Sequence, residues 1–306
     1  MRLGLTTAHC ATANCSVEVR PLPLQLQKKA SLSAGLFYFC PLMGQKKLIR
    51  FEAIKSFPNV LQYPVGMAGK WAEFYKNDNP LTLELACGKG EYTVSLAQLY
   101  PGRNFLGIDM KGNRIYIGAK RCLQEKITNA AFLRTHIDKI TSYFNKGEVE
   151  EIWLTFPDPQ LRKSRFTRRL THPKFIRLYQ QILKPGGRIN LKTDSPVLYQ
   201  FTKWVIDLYQ LPLLEDSADI HAGPMKEELK IRTHYESLDI AQSKRVHYLC
   251  FTLPEGKLPD LDAGLHERVK HEEPTPPERV RPPRNAGAAA AAAKAAAAAK
   301  STEGTE

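Results

Sequence analysis

Two spacing patterns of apolar residues alternate along the chain between about residues 43 and 255. Short apolar runs, of the length of buried strands, are separated by segments in which apolar residues recur every three or four positions, as on a helix. Strands are predicted at residues 81–86, 104–108, 131–134, 151–156, 188–192 and 246–253. Helices are predicted at residues 92–100, 115–125, 173–183 and 197–208, with a turn at 184–187. This order predicts an α/β fold, a mostly parallel sheet with helices on both faces.

The two ends of the chain lack this pattern. Residues 1–42 show no sustained periodicity, so we predict an irregular N-terminal extension and a folded domain at 43–255. One hypothesis is that Met43 is the native start. Residues 256–306 contain a Pro-rich charged stretch and then an Ala/Lys-rich stretch, and we predict a disordered tail. The alternative for its last part is a sparse basic tail that adds non-specific affinity for nucleic acid.

Composition narrows the range of partners. The 306 residues carry a formal net charge of +13, which favours nucleic acid first and an anionic membrane surface second. No apolar run has the length of about 18 residues that a membrane helix needs, so no membrane span is expected. The six cysteines form no Cys-x-x-Cys pair, so neither a zinc site nor a disulfide framework is expected. This use of cysteine favours a reducing, cytoplasmic setting, with no bound metal.

Charge is distributed most unevenly between Asp158 and Asp194. The interval contains ten Lys or Arg residues and no Asp or Glu. An apolar run and the sequence Phe-Pro-Asp-Pro at 156–159 stand at the start of this interval. The Asp158 carboxylate, at the predicted end of a strand, therefore lies beside a loop whose charged residues are all basic. Phosphate neutralisation dominates nucleic-acid affinity, so this loop predicts a polyanion site beside a reactive acid. A solvated charged face is the alternative. The predicted contacts to phosphate are Arg162, Lys163, Arg165, Arg168 and Arg169.

A glycine turn after the first predicted strand indicates a nucleoside site. Gly88 and Gly90 permit a tight turn and close approach of a ligand to the backbone, and Asp109 ends the next strand, where an acid accepts hydrogen bonds from ribose hydroxyls. Thr93 stands where a dinucleotide site has a third small residue, which disfavours NAD. S-adenosylmethionine, which has no pyrophosphate, suits this turn. Glu84 is predicted to meet the ammonium group of that ligand; a surface acid at a strand end is the alternative.

Taken together, the motifs resemble those of the bacterial tRNA (guanine-N7-)-methyltransferase family. The resemblance covers about residues 81–253 and includes Glu84, the glycine turn, Asp109, the sequence 156–159, Arg-Arg-Leu-Thr at 168–171, Lys-Thr-Asp at 192–194 and Thr-His-Tyr-Glu at 233–236. It implies the Rossmann-like fold of class I methyltransferases with a seven-stranded sheet. It also implies methyl transfer from S-adenosylmethionine to N7 of a guanine in the variable loop of tRNA, at tRNA position 46.

The resemblance also implies roles for individual residues. Asp158 is expected to be the active-site acid and to contact the cofactor. The other expected cofactor contacts are Glu84, Gly88, Gly90, Asp109 and His136. The expected substrate contacts are Arg162, Asp194, Thr233, His234, Tyr235 and Glu236. Three positions depart from the family pattern: His136 replaces an acid, Arg162 a lysine and Gln160 a tryptophan.

The implied chemistry needs no base, because guanine N7 carries a lone pair and no proton. Positioning and electrostatics are therefore expected to provide most of the catalysis. Two other functions remain open on the sequence. One is a methyltransferase for another substrate, and the other is a non-catalytic RNA-binding module with a degenerate cofactor site. The sequence leaves undecided whether the protein is a monomer or a homodimer.

Overall fold

The computed structural model describes residues 41–233, 236 and 244–274. The chain divides into two compact units, residues 1–49 and 50–306. Helix α1 (Pro41–Ala53) begins in the first unit and ends in the second. The fold described below is that of the second unit. The irregular extension predicted for residues 1–42 lies outside the described residues, apart from its last two positions.

A single sheet organises the second unit. Within the described residues its eight strands are β1 (Val60–Gln62), β2 (Leu81–Leu85), β3 (Asn104–Asp109), β4 (Ala130–Arg134), β5 (Val149–Thr155), β6 (Leu183–Thr193), β7 (Leu213–Ser217) and β8 (His247–Thr252). They lie in the order β1-β4-β3-β2-β5-β6-β8-β7. Strands β1 to β6 pair in parallel, whereas β8 is antiparallel to both of its neighbours. The mostly parallel α/β fold is therefore confirmed.

Helices and short 3-10 turns connect these strands. Besides α1, the described helices are α2 (Trp71–Tyr75), α3 (Glu91–Leu99), α4 (Gly112–Gln124), α5 (Pro173–Gln180), α6 (Pro196–Leu208), α7 (Glu227–Lys230) and α8 (Asp262–His271). The 3-10 turns are Ile137–Ser142, Lys163–Arg168 and Ile220–Ala222. Among the described helices, none has the length and the apolar character needed to cross a membrane.

Both faces of the sheet are buried. Successive strand residues point to opposite faces. In β5, Ile152 and Leu154 belong to one hydrophobic cluster, whereas Trp153 between them belongs to another. In β4, Leu133 belongs to the first cluster and Phe132 to the second. Burial on both faces explains why these strands contain consecutive apolar residues in the sequence rather than strict alternation of apolar and polar ones.

Two local predictions about the sheet are wrong. Residues 184–187, predicted as a turn, lie inside strand β6. Pairing with β5 shifts from Val149–Leu183 to Glu151–Arg188, so the Pro-Gly-Gly sequence forms an irregular bulge, with Gly186 at φ +71°. The sheet has eight described strands instead of seven. Short β1, which pairs with β4 at the edge, has too few residues to show a period in the sequence.

The prediction of a disordered tail from residue 256 is also wrong for residues 256–274. Helix α8 packs on the core through Leu265 and Val269, both almost fully buried. They are four positions apart, so they share one helix face. Two apolar residues give a weak periodic signal in a charged segment. Residues 275–306, which include the Ala/Lys-rich stretch, lie outside the described part of the chain.

Candidate active site

Four adjacent parallel strands bring the predicted site residues to one edge of the sheet. Strands β3, β2, β5 and β6 are neighbours, and the loops that follow their carboxyl ends line a cleft of about 530 Å³. The chain progresses from β2 toward β3 on one side and later from β5 toward β6 on the other, so the cleft lies at a topological switch point, where open α/β sheets bind ligands. Five predicted residues line it together: Glu84, Asp109, Asp158, Asp194 and Thr233.

The turn between β2 and α3 is tightly folded. Ala86, Gly88 and Gly90 all have positive φ, at +59°, +58° and +70°. A Cβ on Gly90 would lie 2.3 Å from the ring of Phe132, so no larger residue fits there without displacing a core side chain. The predicted glycine turn is thus present, and it holds backbone close to the cleft.

Glu84 lies in the cleft but is buried and hydrogen-bonded. Its Oε1 accepts a hydrogen bond of 2.6 Å from Thr155 Oγ1, and its Oε2 accepts one of 2.8 Å from the Thr93 backbone N–H and a second from the Thr93 hydroxyl. Burial raises the pKa of Glu84 from 4.5 to about 7, and the threonine hydrogen bonds only partly oppose this. Near neutral pH this carboxyl is therefore poised between its two protonation states, and an approaching cation favours the charged one.

Asp109 connects the two halves of the predicted nucleoside site. Its Oδ2 accepts a hydrogen bond of 3.0 Å from the Gly88 N–H, and its Oδ1 accepts one of 2.7 Å from the Lys111 N–H. Each oxygen of a carboxylate can accept two bonds, so each retains one acceptor position. The glycine turn and the end of β3 are thereby held together. The Asp109 carboxylate stays available to hydroxyl donors in the cleft.

Asp158 occupies a strained loop after β5. Its side chain is exposed at the cleft, and its Oδ1 accepts a hydrogen bond of 2.9 Å from the Gln160 N–H. Phe156 and Gln160, on either side of it, both have φ of +46°. Non-glycine residues seldom adopt this conformation, and it persists where surrounding contacts enforce it. The loop therefore presents Asp158 in one arrangement, at an energetic cost that other contacts must offset.

Lys192 has a structural role that the sequence did not reveal. Its fully buried ammonium donates to the carbonyl oxygens of Leu229 at 2.9 Å and Ile231 at 2.8 Å and pairs with Glu236 at 2.9 Å. Burial lowers the pKa of Lys192, and Glu236 opposes that shift. These contacts fix the segment that leads to Thr233, which lines the cleft. Glu236 is bonded to Lys192 and does not itself line the cleft, while the predicted contacts His234 and Tyr235 lie outside the described residues.

Most of the predicted phosphate contacts lie on an accessible loop. Arg162, Arg165 and Arg168 are exposed, and Lys163 is partly exposed with its ammonium 3.0 Å from the Lys270 carbonyl oxygen. Arg169 differs from its neighbours. It is fully buried and forms a two-pronged ion pair with Glu273, so its prediction as a phosphate contact is wrong. Because all charged residues of this loop are basic, the sequence alone did not distinguish the buried arginine from the exposed ones.

His136 is not brought to the cleft. It is exposed at the N-cap position of the 3-10 turn Ile137–Ser142, where its side chain makes no capping hydrogen bond, and the nearby Asp138 pairs with Lys174 on α5. Several residues in or beside the cleft were not predicted as site residues. Two of them, Lys111 and Arg114, follow Asp109 closely, so their charge next to an expected ribose acid was a usable signal. Others with polar side chains are Lys89, Glu91, Tyr92, Thr93, Thr155 and Ser195.

The described residues hold neither a metal cluster nor a disulfide. Within residues 41–233, 236 and 244–274, no three His, Cys, Asp or Glu side chains converge as metal ligands would. Cys87, Cys122 and Cys250 are buried as free thiols. Burial raises the pKa of Cys87, so its thiol stays protonated at neutral pH.

Comparison with known proteins gives one consistent family. The sequence model of a family described as "Putative methyltransferase" matches residues 78–249. The tRNA (guanine-N(7)-)-methyltransferase of Bacteroides thetaiotaomicron is 43% identical over 234 residues, which cover 73% of this chain and 92% of the relative. The enzyme of the same name from Porphyromonas gingivalis is 45% identical over 215 residues, 66% of this chain and 87% of the relative. The enzyme of the same name from Christiangramia forsetii is 42% identical over 223 residues, which cover 69% of this chain and 100% of the relative. Identity of this extent, over nearly the whole of each relative, shows that the chain belongs to the tRNA (guanine-N(7)-)-methyltransferase family.

Proposed function

We propose that this protein transfers a methyl group from S-adenosylmethionine to N7 of a guanine in the variable loop of tRNA. The observation that carries the proposal is the convergence of Glu84, Asp109, Asp158 and Asp194 on one cleft, next to the exposed arginines of the 162–168 loop. The acids suit a cationic donor and a base that becomes cationic, and the arginines suit a polyphosphate substrate. The family membership of the chain supports the same assignment.

The residues on the β2–β3 side fit S-adenosylmethionine. Each Asp109 oxygen retains an acceptor position for one ribose hydroxyl. Glu84 adds a carboxyl that becomes charged when an ammonium approaches, because its pKa of about 7 leaves it easily ionised. Carboxylates at the end of β3 suit ribose hydroxyls and would repel a pyrophosphate. When bound, the donor supplies an electrophilic methyl group on its sulfonium.

Residues on the β5–β6 side are assigned to guanine. Asp158 and Asp194 both line the cleft, and their carboxylates accept hydrogen bonds from the N1–H and N2 amino groups of the base. N7 needs no deprotonation, so these residues orient the base and stabilise the positive charge that it acquires. Preorganised charge of this kind is usually the largest single contribution to such a step. Thr233 closes the same side of the cleft.

The basic loop is assigned to tRNA phosphates. Arg162, Arg165 and Arg168 are exposed, and Lys163 is partly so, which leaves their charge available to a large polyanion. These contacts provide affinity and fix the position of the tRNA on the protein, but they do not distinguish one base from another. The buried Arg169 is not part of this set. A tRNA substrate and free buried cysteines agree with the predicted cytoplasmic setting.

Methyl incorporation tests this function. The protein is incubated with methyl-labelled S-adenosylmethionine and, in separate reactions, unmodified transfer RNA, a ribosomal RNA fragment and a protein extract freed of RNA. We expect label in tRNA only. Label in the ribosomal RNA fragment or in protein instead of tRNA would replace tRNA with another substrate, and tRNA binding without label in any substrate would indicate a non-catalytic RNA-binding module.

A further inference from the structure

The loop that carries Asp158 has little support of its own. Phe156 and Gln160 both have φ of +46°, and within the described residues the Asp158 side chain accepts one hydrogen bond, the short-range one from the Gln160 N–H. Two strained residues so close together favour relaxation to another backbone conformation. Contacts from elsewhere in the fold are therefore required to hold the loop as it is.

At Phe156 the backbone N–H donates to the Lys192 carbonyl oxygen at 2.8 Å, and at the Gln160 end the contacts come from Arg169. Its Nε donates to the Pro159 carbonyl oxygen at 3.0 Å and its Nη2 to the Gln160 carbonyl oxygen at 3.3 Å. The guanidinium thus bonds to the two carbonyl groups on either side of the strained Gln160. Its Cζ also lies 4.6 Å from the ring centroid of Phe201 on α6, which limits sideways movement. Arg169 is fully buried, so water does not compete for these bonds.

The orientation of Arg169 is set in turn by Glu273, which follows helix α8. The two Glu273 oxygens accept hydrogen bonds from Nη1 at 2.6 Å and Nη2 at 2.8 Å. Both side chains are almost completely removed from water, with 0% and 2% of their surface exposed. Removal of one partner from a buried pair leaves an uncompensated charge, which is strongly unfavourable. Without the Glu273 charge, the guanidinium therefore tends to turn toward solvent and to release the loop.

We propose that Arg169 and Glu273 are positioning residues that hold the Asp158 loop in its reactive arrangement. The segment that follows helix α8 thereby becomes part of the support of the active site, through Glu273, 104 positions along the chain from Arg169. The proposal rests on the proposed function only in that Asp158 is taken to act on the base. The buried contact between α8 and the loop is independent of which substrate binds.

The chain offers a matched control for Glu273→Gln. At the other end of α8, Asp262 accepts hydrogen bonds from Arg177 at 3.1 and 2.7 Å, so it too anchors the helix through a two-pronged arginine pair. Arg177 belongs to α5 and donates to Pro259, not to the Asp158 loop. Asp262→Asn therefore loosens the same helix while leaving the loop contacts intact. Both variants remove one carboxylate and preserve its shape.

Hydrogen exchange of the full-length protein, read by mass spectrometry without any ligand, tests the contact directly. We expect amides of residues 156–168 to exchange about tenfold faster or more in Glu273→Gln than in wild type, and at the wild-type rate in Asp262→Asn. If Glu273→Gln fails to fold, Arg169→Lys replaces it, because a lysine keeps the charge but cannot reach Glu273 and both carbonyl groups together. Equal exchange in the tested variant and the control would overturn the proposal.

Single-turnover methylation of tRNA adds a functional readout. We expect Glu273→Gln to lower the rate of methyl transfer by about tenfold or more, as loss of reactive geometry does, with tRNA affinity and calorimetric S-adenosylmethionine affinity unchanged. Asp262→Asn is expected to retain the wild-type rate. A rate loss shared equally by both variants would overturn the positioning role. If wild type labels no tRNA, the proposed function fails, and the exchange experiment alone decides the positioning role.

Discussion

The two sides of the cleft are built in different ways. On the β2–β3 side, Asp109 is held by backbone groups of Gly88 and Lys111, which are 21 and 2 positions away in the sequence. On the β5–β6 side, support comes from buried ion pairs, Arg169 with Glu273 and Lys192 with Glu236, whose members are 104 and 44 positions apart. A local motif therefore suffices to hold Asp109 on the donor side, whereas the guanine side depends on the completed fold.

The largest expected effect is on the guanine side. Asp158→Asn keeps the shape of the side chain and removes its charge, so we expect turnover to fall by about a hundredfold or more, as when one preorganised electrostatic contact is lost. Affinity for tRNA should change little, because the basic loop remains. Turnover is measured at saturating tRNA and donor. Asp138→Asn is the control, since that acid is exposed and paired with Lys174 outside the cleft. Wild-type turnover in Asp158→Asn would leave Asp158 a turn former.

A pH effect on stability is expected from Glu84 on the donor side. Its folded-state pKa is about 7, raised mainly by burial, against 4.5 as the unperturbed value. Between these values the folded state binds more protons than the unfolded state, so the free energy of unfolding falls as pH rises through this window. The contribution of Glu84 is about 3 kcal/mol. Glu84→Gln removes it, so urea unfolding without ligand should show a smaller loss of stability from pH 5 to pH 8 in this variant. Parallel curves for the two proteins would contradict the burial of an ionisable group here.

Asp109→Ala tests the donor side directly. The change leaves ribose hydroxyls without acceptors and frees the N–H groups of Gly88 and Lys111, so we expect S-adenosylmethionine binding to weaken by about 1–3 kcal/mol. Calorimetry measures the affinity, and circular dichroism checks that the turn still folds. An unchanged dissociation constant would remove Asp109 from the donor site.

The smallest effects are expected in the basic loop, where two adjacent arginines should behave differently. Arg165→Ala and Arg168→Ala should each weaken tRNA binding and lower the slope of log affinity against log salt by somewhat less than about one unit. Arg121→Ala on α4, which is exposed and paired with Glu125, is the control and should leave the slope unchanged. Arg169→Ala should lower the free energy of unfolding, because it unpairs the buried Glu273, without lowering the slope as the loop variants do. If none of the loop variants changes the slope of log affinity against log salt, the loop is a solvated face that does not contact tRNA phosphates.

The difference between local and long-range support also explains which features of the fold and the site could be predicted from the sequence. Strands β2, β3 and β5 each contain a short apolar run and end in polar motifs, so the sheet and the meeting of Glu84, Asp109 and Asp158 at one edge follow from a local pattern. Arg168 and Arg169 have the same side chain and adjacent positions, and only the fold decides that one is exposed and the other buried. Helix α8 was missed because it buries only two apolar residues, and the link of the following Glu273 to Arg169 joins residues 104 positions apart.

The most direct test of the account identifies the methylated atom. A tRNA transcript is prepared with guanine throughout and, in parallel, with 7-deazaguanine, which lacks the N7 nitrogen, at the guanine of the variable loop only. Both are incubated with wild-type protein and labelled S-adenosylmethionine. Because 7-deazaguanine has no N7 to accept the methyl group, we predict label in the first transcript, located at the variable-loop guanine, and none in the second, although both bind with equal affinity. Equal labelling of the two transcripts would show that another atom accepts the methyl group and would contradict the account.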